Sequence, residues 1–521
     1  MEERTSKMGR TQKALVNALA GVVGKLITTI VVFLGRTVFI YTLGVEYLGA
    51  SSLFTSILTM LSLAELGFST AITYNLYRPL AKGNQKKTAA FMNFYKKVYN
   101  IIGIVIFVVG LLLIPFLKEI ITEDIPDIKE SIYLIYVLYL ANTAISYFFV
   151  YRATLLEASQ NKYIVSLSHT LVSVIKTIAN SIALILTKNF ILYLLIEIAS
   201  TILYNLIISI IANRKYKEVL QDKESKLKTR EKKLVFNNVK AMFLYKVSDV
   251  ILNGTDNIII SRYLGTTTVG IYSNYYTIIN QVYAFVLQIF QATTASIGNF
   301  VVERKKEEQE TVFNNMIFLS FVIYFICSVL LFNCINPFIT LWVGKDFLMG
   351  IPVVIVLVLN FYTTGMVSPL TSFRTANGLF MQGRYRPIIM AIINIIISII
   401  LVKWIGITGV FLGTVIARVS TQLWYDPWLI YKKVFHKSSK KYFMKYIMYL
   451  FITVIGCAIV YGVGKAISID SLILTLLWNI VLSIIVVVFM VVSLFRKTPE
   501  FAYVQTIIRK VIAKIAGKVK G

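Results

Sequence analysis

Two short stretches decide the fold: LGVEYLG at residues 43–49 and LGTTTVG at residues 264–270 share a Leu-Gly and a later apolar-Gly pair, displaced by 221 positions. A second pair of stretches, RATLLEASQNKY at 152–163 and RTANGLFMQGRY at 374–385, is displaced by 222 positions. Two matches at nearly the same displacement indicate an internal repeat, which must be recognised before any other feature of the architecture.

The composition places the repeat in a membrane. Hydrophobic residues make up 57% of the 521 residues and charged residues 15%, against about 25% charged residues in soluble domains. The mean hydropathy is +0.73, which fits repeated bilayer crossings of about 20 apolar residues each. These values exclude a soluble enzyme, a disordered protein and a secreted disulfide scaffold.

The apolar segments predict fourteen helical spans. They lie near residues 15–43, 48–77, 91–117, 130–151, 163–187, 190–212, 239–263, 269–301, 312–343, 350–373, 386–404, 406–430, 443–464 and 472–494. Six spans fit within the displacement of the repeat, so the two copies have parallel topology. The sequence therefore predicts an all-α polytopic membrane protein with two parallel-repeat six-helix lobes plus two C-terminal helices, which is a transporter architecture.

This reading divides the chain into six segments. They are a cytoplasmic N-terminus (1–14), an N-lobe with spans 1–6 (15–212), a basic cytoplasmic linker (213–238), a C-lobe with spans 7–12 (239–431), spans 13 and 14 (432–494), and a basic amphipathic tail (495–521). We expect the tail to lie on membrane lipids of the inner leaflet; the alternative is a frayed, solvated tail.

The net charge of +28 indicates orientation rather than nucleic-acid binding. With the N-terminus inside, 41 of the 53 Lys and Arg residues fall in inside segments and 7 in outside loops. Basic residues accumulate on the cytoplasmic side of membrane proteins. We therefore expect a multi-pass protein of the cytoplasmic membrane, with both termini in the cytoplasm.

Enzyme motifs are missing from the sequence. There is no G-x-x-x-x-G-K-[ST] loop, no H-E-x-x-H helix and no paired Cys-x-x-Cys. The three cysteines lie in apolar runs without metal-ligand spacing. We expect no catalytic residue, cofactor or metal, so transport must draw on an ion gradient, a membrane potential or the substrate's own gradient.

Charged residues inside the predicted spans are the candidate site residues, because a charge at the centre of a span costs at least about 2.5–3.5 kcal/mol. The cations are Lys25, Arg36, Lys176, Lys246 and Arg418, and the acids within or near spans are Glu65, Glu197, Asp249 and Asp256. We expect the cations to line a substrate cavity, and Glu65, Asp249 and Asp256 to act in ion coupling or ion pairs.

Structural explanations compete at several of these positions. Lys246 and Asp249 lie three apart on one helix and can neutralise each other. Lys25 and Lys176 can snorkel or pair, and Asp256 can anchor the outer interface. Arg36 has no acid three or four positions away in its own span, and Glu65 is its candidate partner.

A cavity with more cations than acids attracts anions, and phosphate or pyrophosphate matches the Arg fork especially well. The stretch YSNYY at 272–276 offers Tyr272, Asn274 and Tyr275 as candidate sugar contacts. A membrane-interface aromatic belt is an equally good explanation of this stretch.

At several motifs the sequence resembles a known family. They are LAELG at 63–67, DNIIIS at 256–261, LGTTTVGIYSNY at 264–275, GRYRP at 383–387, Asn394 with Ser398, and GITGVFLGT at 406–414. The resemblance is to flippases for lipid-linked oligosaccharides that feed O-antigen and capsule synthesis, in the multidrug/oligosaccharidyl-lipid/polysaccharide superfamily, and it covers most of residues 10–435.

This resemblance implies two six-helix lobes around a central cavity, alternating access, and transfer of undecaprenyl pyrophosphate bearing a short sugar repeat from the inner to the outer leaflet. It implies that Arg36, Arg152, Arg374 and Arg418 engage the pyrophosphate and any acidic sugars. Expected partners are this lipid-linked oligosaccharide, membrane lipids, a polysaccharide polymerase and assembly proteins, and a coupling H⁺ or Na⁺.

Three alternatives stay open at this point. A multidrug and toxin exporter of the same superfamily usually has twelve spans and acidic sites for cationic drugs. A lipid II flippase also has fourteen spans. A non-transporting membrane scaffold would require neither in-span cations nor a six-helix repeat.

Overall fold

The fold was analysed in a computed structural model, which describes residues 10–62, 68–121, 128–303, 306–377, 379, 382–383, 385–467, 470–506 and 509. All regular elements in these residues are helical, and this confirms the predicted all-α class. The helices are α1 (Arg10–Leu43), α2 (Val45–Leu61), α3 (Phe68–Ala81), α4 (Gln85–Leu112), α5 (Leu117–Ile120), α6 (Ile132–Tyr147), α7 (Val150–Ala158), α8 (Lys162–Thr187), α9 (Phe190–Lys215), α10 (Lys217–Gln221), α11 (Thr229–Leu264), α12 (Thr266–Glu303), α13 (Lys306–Trp342), α14 (Ile351–Ala376), α15 (Arg386–Ile405), α16 (Ile407–Ile430), α17 (Lys440–Ala466) and α18 (Leu472–Phe495).

Every one of the fourteen expected spans coincides with at least one of these helices. Among the described residues, nine helices are long and apolar enough to cross a membrane, and the bent pair α6 and α7 adds a tenth. The other four expected spans fall on α2 with α3, on α11, on α12 and on α16, which are shorter or more polar. The chain is therefore a multi-pass membrane protein.

Turn residues set several helix boundaries. The side chains of Asn84 and Asn189 cap α4 and α9 by accepting hydrogen bonds from the backbone N–H of Lys87 and Leu192, each at 2.9 Å. Such caps satisfy N–H groups that have no partner inside the helix. α14 and α15 each have a proline in the first turn, where its fixed φ suits a helix start.

The first repeat motif has the same backbone form in both copies. α1 ends at Leu43 and α11 ends at Leu264, and the glycine that follows has a φ of 94° at Gly44 and 90° at Gly265. L-residues with a side chain rarely adopt this conformation. The shared Leu-Gly pair is therefore a tight helix-to-helix turn, and its recurrence supports the predicted repeat.

The chain forms two compact units, Met1–Gly270 and Ile271–Gly521. In unit 1, α1 packs along α8, α6 packs on α9, and α11 packs on α2, α3 and α5. The expected seventh span thus lies in the same compact unit as the first six. The lobe bounds 15–212 and 239–431 stay a prediction.

The expected linker 213–238 is docked on unit 1. The Asn93 amide of α4 donates hydrogen bonds to the carbonyl oxygens of Asp222 and Ser225, and Lys87 forms an ion pair with Glu231 at 2.7 Å. Leu227 is buried, at 5% exposure. The segment contains α10, a non-helical stretch at residues 222–228, and the first turns of α11.

In unit 2, α15 and α16 form a closely packed helical hairpin. Gly409 and Gly413 lie on the contact face, because a Cβ at Gly409 would come within 2.3 Å of the Leu401 carbonyl oxygen. The Asn394 amide donates to the Thr414 hydroxyl at 2.8 Å, and Ser398 donates to the Val410 carbonyl oxygen at 2.9 Å. The motif GITGVFLGT therefore builds a helix crossing.

The C-terminal pair α17 and α18 packs on α13. A short helix follows at 499–506, and it is held by an ion pair between Lys445 and Glu500 at 2.8 Å and by the buried side chain of Val504. Residues 507, 508 and 510–521 of the predicted amphipathic tail lie outside the described residues.

Candidate functional site

A cluster of charged and polar side chains lies among the helices of unit 1, and we call it the Glu197 cluster. Its members are Arg36 on α1, Tyr139 on α6, Lys176 and Asn180 on α8, and Tyr193 and Glu197 on α9. Within it, Glu197 accepts hydrogen bonds from the Lys176 ammonium at 3.0 Å and from the Asn180 amide at 2.9 Å.

Arg36 joins the cluster through tyrosine. Its guanidinium lies close enough to Tyr193 for the two side chains to interact electrostatically. Tyr193 also hydrogen-bonds Glu197 and lies close to Tyr139. The sequence offered Glu65 as the candidate partner of Arg36, and Glu65 lies outside the described residues. The structure places Arg36 one side chain away from the carboxylate of Glu197.

Packing of neighbouring helices positions the cluster. Phe39 and Phe190 hold the Tyr193 ring, with ring centroids at 5.2 Å and 5.7 Å. α1 approaches α8 closely, because a Cβ at Gly24 would lie 2.7 Å from the Thr170 hydroxyl oxygen and one at Gly35 would lie 2.7 Å from the Thr177 methyl carbon. Small residues at such crossings allow membrane helices to approach each other.

The cluster combines two cations with one carboxylate inside a helical bundle. The side chains of Lys176 and Glu197 are 32% and 20% exposed, so neither is fully enclosed by protein atoms. Ionisable residues in membrane segments are costly and mark substrate or ion pathways. This arrangement can hold an anion at the Arg and Lys groups, and it can hold or release a proton or small cation at Glu197.

Two other candidate cations of unit 1, Lys25 and Arg152, are not members of this cluster. Lys25 is exposed on α1, and His169 of α8 lies close to both Lys176 and Lys25. Arg152 on α7 donates to the Ser209 hydroxyl at 2.6 Å and lies over the rings of Phe149 and Tyr151. The structure brings neither cation into the Glu197 cluster.

Arg418 is a buried cation in unit 2. From α16, its guanidinium donates to the backbone and side-chain oxygens of Asn360 and to the Thr363 hydroxyl at 3.0 Å, both on α14. Tyr446 of α17 lies nearby. These oxygens of Asn360 and Thr363 are neutral, so they do not cancel the positive charge of the guanidinium.

Arg374 has a different environment. It is 7% exposed and pairs with the fully buried Asp426 at 2.6 Å, and Arg386 pairs with the same carboxylate oxygen. Arg374 also donates to the carbonyl oxygens of Leu379 and Gln382. These three side chains, which we call the Asp426 triad, hold the turn between α14 and α15, and this gives Arg374 a structural role.

The candidate sugar contacts on α12 are buried. The Tyr272 ring packs on Phe411, with centroids 4.5 Å apart. The Tyr275 hydroxyl donates to Asn336 at 2.6 Å and accepts from the Met349 backbone N–H at 2.8 Å. Asn274 is also fully buried. These contacts place Tyr275 in the packing of α12 against α13 and the turn before α14.

The structure describes the side chain of only one of the remaining four candidates, Asp256. Asp256 is buried on α11, at 6% exposure. Lys246 and Asp249 lie on α11, and their side chains are outside the described part. Glu65 lies in 63–67, outside the described residues.

Sequence reasoning missed the importance of Glu197, Asn180, Tyr193 and Asp426. For Glu197 a usable signal existed. Lys176 and Glu197 lie on consecutive spans joined by a two-residue turn, at comparable distances from that turn, so an antiparallel hairpin brings them to similar depth.

Comparisons with known proteins agree with this fold. The chain has a TM-score of 0.63 and 16% identity to a structure titled lipid II flippase MurJ in an inward closed conformation, covering 92% of this chain and 99% of that one. It has a TM-score of 0.60 and 16% identity to an inward-facing multidrug resistance MATE family transporter of the MOP superfamily, covering 78% of this chain and 97% of that one. An outward-facing MATE family transporter gives a TM-score of 0.52, also at 16% identity, covering 78% and 92%. At this identity the likeness establishes the fold.

No curated protein sequence matches the chain at a significant level. A family described as polysaccharide biosynthesis protein matches residues 14–297, just over half of the 521 residues. The match includes the whole Glu197 cluster. The resemblance found in the sequence is thereby confirmed, and the chain belongs to the polysaccharide biosynthesis protein family.

Proposed function

We propose that this protein is a flippase that moves undecaprenyl-pyrophosphate-linked oligosaccharide repeat units from the inner to the outer leaflet for surface polysaccharide synthesis. The observation that carries the proposal is the Glu197 cluster, in which Arg36 and Lys176 outnumber the carboxylate of Glu197 inside a membrane bundle. The family and the fold shared with a protein titled lipid II flippase support it.

In this proposal Arg36 and Lys176 bind the pyrophosphate. A guanidinium presents planar, paired N–H donors that match phosphate oxygens, whereas an ammonium acts as a compact charge. Arg418 is a buried cation of unit 2 and a further candidate for binding the anionic head. Cations held in place by neighbouring side chains attract the anionic head without having to reorganise.

Glu197 is the proposed coupling group. A carboxylate that exchanges its Lys176 partner for a proton or Na⁺ alters the charge of the cluster by one unit. That change favours anion binding in one state and release in the other, which is what alternating access requires. Glu65, Asp249 and Asp256 are further candidates for coupling or ion pairing.

Deletion of the gene tests the proposal. We expect lipid-linked repeat units to accumulate in the inner leaflet and surface polysaccharide to disappear, with normal levels after complementation. Normal polysaccharide combined with sensitivity to cationic dyes would instead favour a multidrug exporter. Accumulation of lipid II with normal capsule or O-antigen would favour a lipid II flippase.

A further inference from the structure

A cavity of about 230 Å³ lies in unit 2 at the ends of α13, α14, α17 and α18 that the charge distribution predicts to face outward. Its polar lining comes from Asn333, Asn336, Tyr461, Lys465 and Asn479. Two of its four helices, α17 and α18, are the pair outside the internal repeat. The cavity lining shares no residue with the Glu197 cluster or with the Asp426 triad.

Lys465 provides the positive charge of the cavity. Its side chain is exposed, and no hydrogen bond or ion pair to it exists among the described residues. None of the lining residues is acidic. A cation without a carboxylate neighbour in a concave, partly apolar site favours an anionic ligand, because field lines concentrate there.

Two amide oxygens in the lining lack donors. The Asn333 amide nitrogen donates to the Val329 carbonyl oxygen at 2.9 Å, and the Asn479 amide nitrogen donates to the Asn333 carbonyl oxygen at 3.0 Å. These bonds fix both amide orientations and leave both side-chain oxygens without a donor among the described residues. A side-chain carbonyl oxygen only accepts hydrogen bonds, so its ligand partners are hydroxyl or N–H groups.

The rest of the lining is apolar and aromatic. The Phe332 and Tyr461 rings lie at 5.8 Å, and Pro337 and Val460 complete this side of the cavity. The volume is below the about 300–1,000 Å³ of pockets that enclose drug-sized ligands. The cavity therefore suits a single headgroup with an apolar attachment better than a whole oligosaccharide.

We propose that this cavity binds a polyol phosphate headgroup of a lipid. Its phosphate contacts the Lys465 ammonium, and its hydroxyls donate to the side-chain oxygens of Asn333 and Asn479. The headgroup has two sources with the same chemistry: a glycerol phosphate of a bilayer lipid such as phosphatidylglycerol, or a sugar phosphate of a polyprenyl lipid. The α17–α18 pair then has a ligand-binding role of its own.

Direct binding to the purified full-length Arg36→Ala variant in detergent tests this proposal without any transport step and with the proposed anion site of the Glu197 cluster weakened. The probes are dihexanoyl phosphatidylglycerol and a water-soluble geranyl-pyrophosphate-linked N-acetylglucosamine, with dihexanoyl phosphatidylcholine as the ligand control. We expect at least one polyol phosphate to bind about tenfold or more tightly than the choline lipid. Binding by phosphatidylglycerol alone assigns a bilayer lipid, binding by the sugar lipid alone assigns a polyprenyl lipid, and binding by both assigns the shared headgroup.

Two variants, each with a matched control, locate the binding. Lys465→Gln should weaken binding about tenfold, from loss of a charge-assisted hydrogen bond, whereas Lys345→Gln removes an exposed cation from the same end of unit 2 outside the cavity and should change nothing. Gly464→Leu should block the cavity, because a Cβ there already comes within 2.9 Å of the Asn479 side-chain oxygen. A Cβ at Gly462 would meet no atom within 4 Å, so Gly462→Leu is its control.

The proposal is overturned if phosphatidylcholine binds as well as both polyol phosphates, if neither polyol phosphate binds, or if Lys465→Gln and Lys345→Gln have equal effects. Should Gly464→Leu fail to fold, the two lysine variants alone decide. Because transport is not measured, failure here leaves the flippase proposal untouched, and failure of that proposal leaves this one untouched.

Discussion

Gly49 and Gly270 occupy equivalent positions of the internal repeat and make equivalent contacts with each other's helices. A Cβ on Gly49 would lie 2.1 Å from the Thr266 carbonyl oxygen, and a Cβ on Gly270 would lie 2.3 Å from the Val45 carbonyl oxygen. Val45 and Thr266 are themselves separated by the 221-residue displacement of the repeat. The two copies of the motif therefore meet around a local pseudo-twofold axis, where α2 and α12 begin.

Alanine at either glycine should destabilise the protein strongly. The added methyl group meets backbone atoms that cannot rotate away, and overpacking of this kind costs about 1–3 kcal/mol or more. We expect Gly49→Ala and Gly270→Ala each to lower the thermal unfolding temperature and the amount of purified protein by similar degrees. Gly462→Ala, which meets open space, should leave both unchanged; an equal loss in all three would contradict the axis contact.

Removal of the Asp426 carboxylate should also destabilise unit 2. Asp426→Asn leaves Arg374 and Arg386 buried without their counter-charge, and breaking a buried pair costs about 3–5 kcal/mol. The control is Glu310→Gln, which breaks the solvent-exposed pair with Lys437 and should cost about 0–1 kcal/mol. Thermal unfolding in detergent measures both, and a smaller loss in Asp426→Asn than in Glu310→Gln would refute the structural role of the triad.

The docked linker should loosen in acid. A hydrogen bond from Lys87 holds the pKa of Glu231 below its ordinary value, and hydrogen bonds from Ser225 lower the pKa of Asp222. A lowered carboxyl pKa means that the folded state favours the charged form, so this stabilisation is full above the ordinary pKa of about 4.3 and is lost as pH falls through the lowered one.

Hydrogen exchange measures that loosening. Protection of residues 217–231 should stay constant from neutral pH to about 4.3 and then fall. In Glu231→Gln it should be lower throughout and depend less on pH, whereas Glu224→Gln, which changes a linker carboxylate outside the ion pair, should behave as the native chain. An identical acid profile in Glu231→Gln and the native chain would count against the Lys87 contact.

Orientation can be checked by cysteine labelling in a chain whose native cysteines are replaced by serine. Single cysteines at Lys188, Lys345 and Lys465 should react with an impermeant reagent from outside the cell, and cysteines at Lys86, Lys226 and Lys437 should react only after permeabilisation. All six positions are exposed in the structure, so the reagent can reach each of them. One site on the opposite face would break the proposed orientation.

Much of the fold could be read from the sequence because it depends on local patterns. Apolar segments located the helices, and the Leu-Gly pairs located two turns that need a positive φ. Contacts between distant helices could not be read in this way. Arg152 and Arg374 are repeat-related, yet Arg374 pairs with Asp426 whereas Arg152 donates to Ser209.

The candidate site was readable only in part for the same reason. Arg36 and Lys176 stood out as charges in apolar segments, because burial of a charge needs an explanation. Their connection through Tyr193 and Glu197 depends on the packing of α1, α8 and α9. A tyrosine that links an arginine on one helix to a carboxylate on another leaves no recognisable residue spacing in the sequence.

We propose that Arg36 binds the anionic head of the substrate. The decisive measurement of this claim is the rate at which proteoliposomes flip an undecaprenyl-pyrophosphate-linked repeat unit. We expect Arg36→Ala to lower the flipping rate at least about tenfold with normal thermal stability. Arg36→Lys should restore part of this rate, because an ammonium lacks the guanidinium fork. Lys25→Ala, which removes an exposed cation from the same helix, should flip the substrate at the native rate. Equal flipping by Arg36→Ala and Lys25→Ala would contradict the claim. So would a loss of abundance in Arg36→Ala that a charge swap with Glu65 restores.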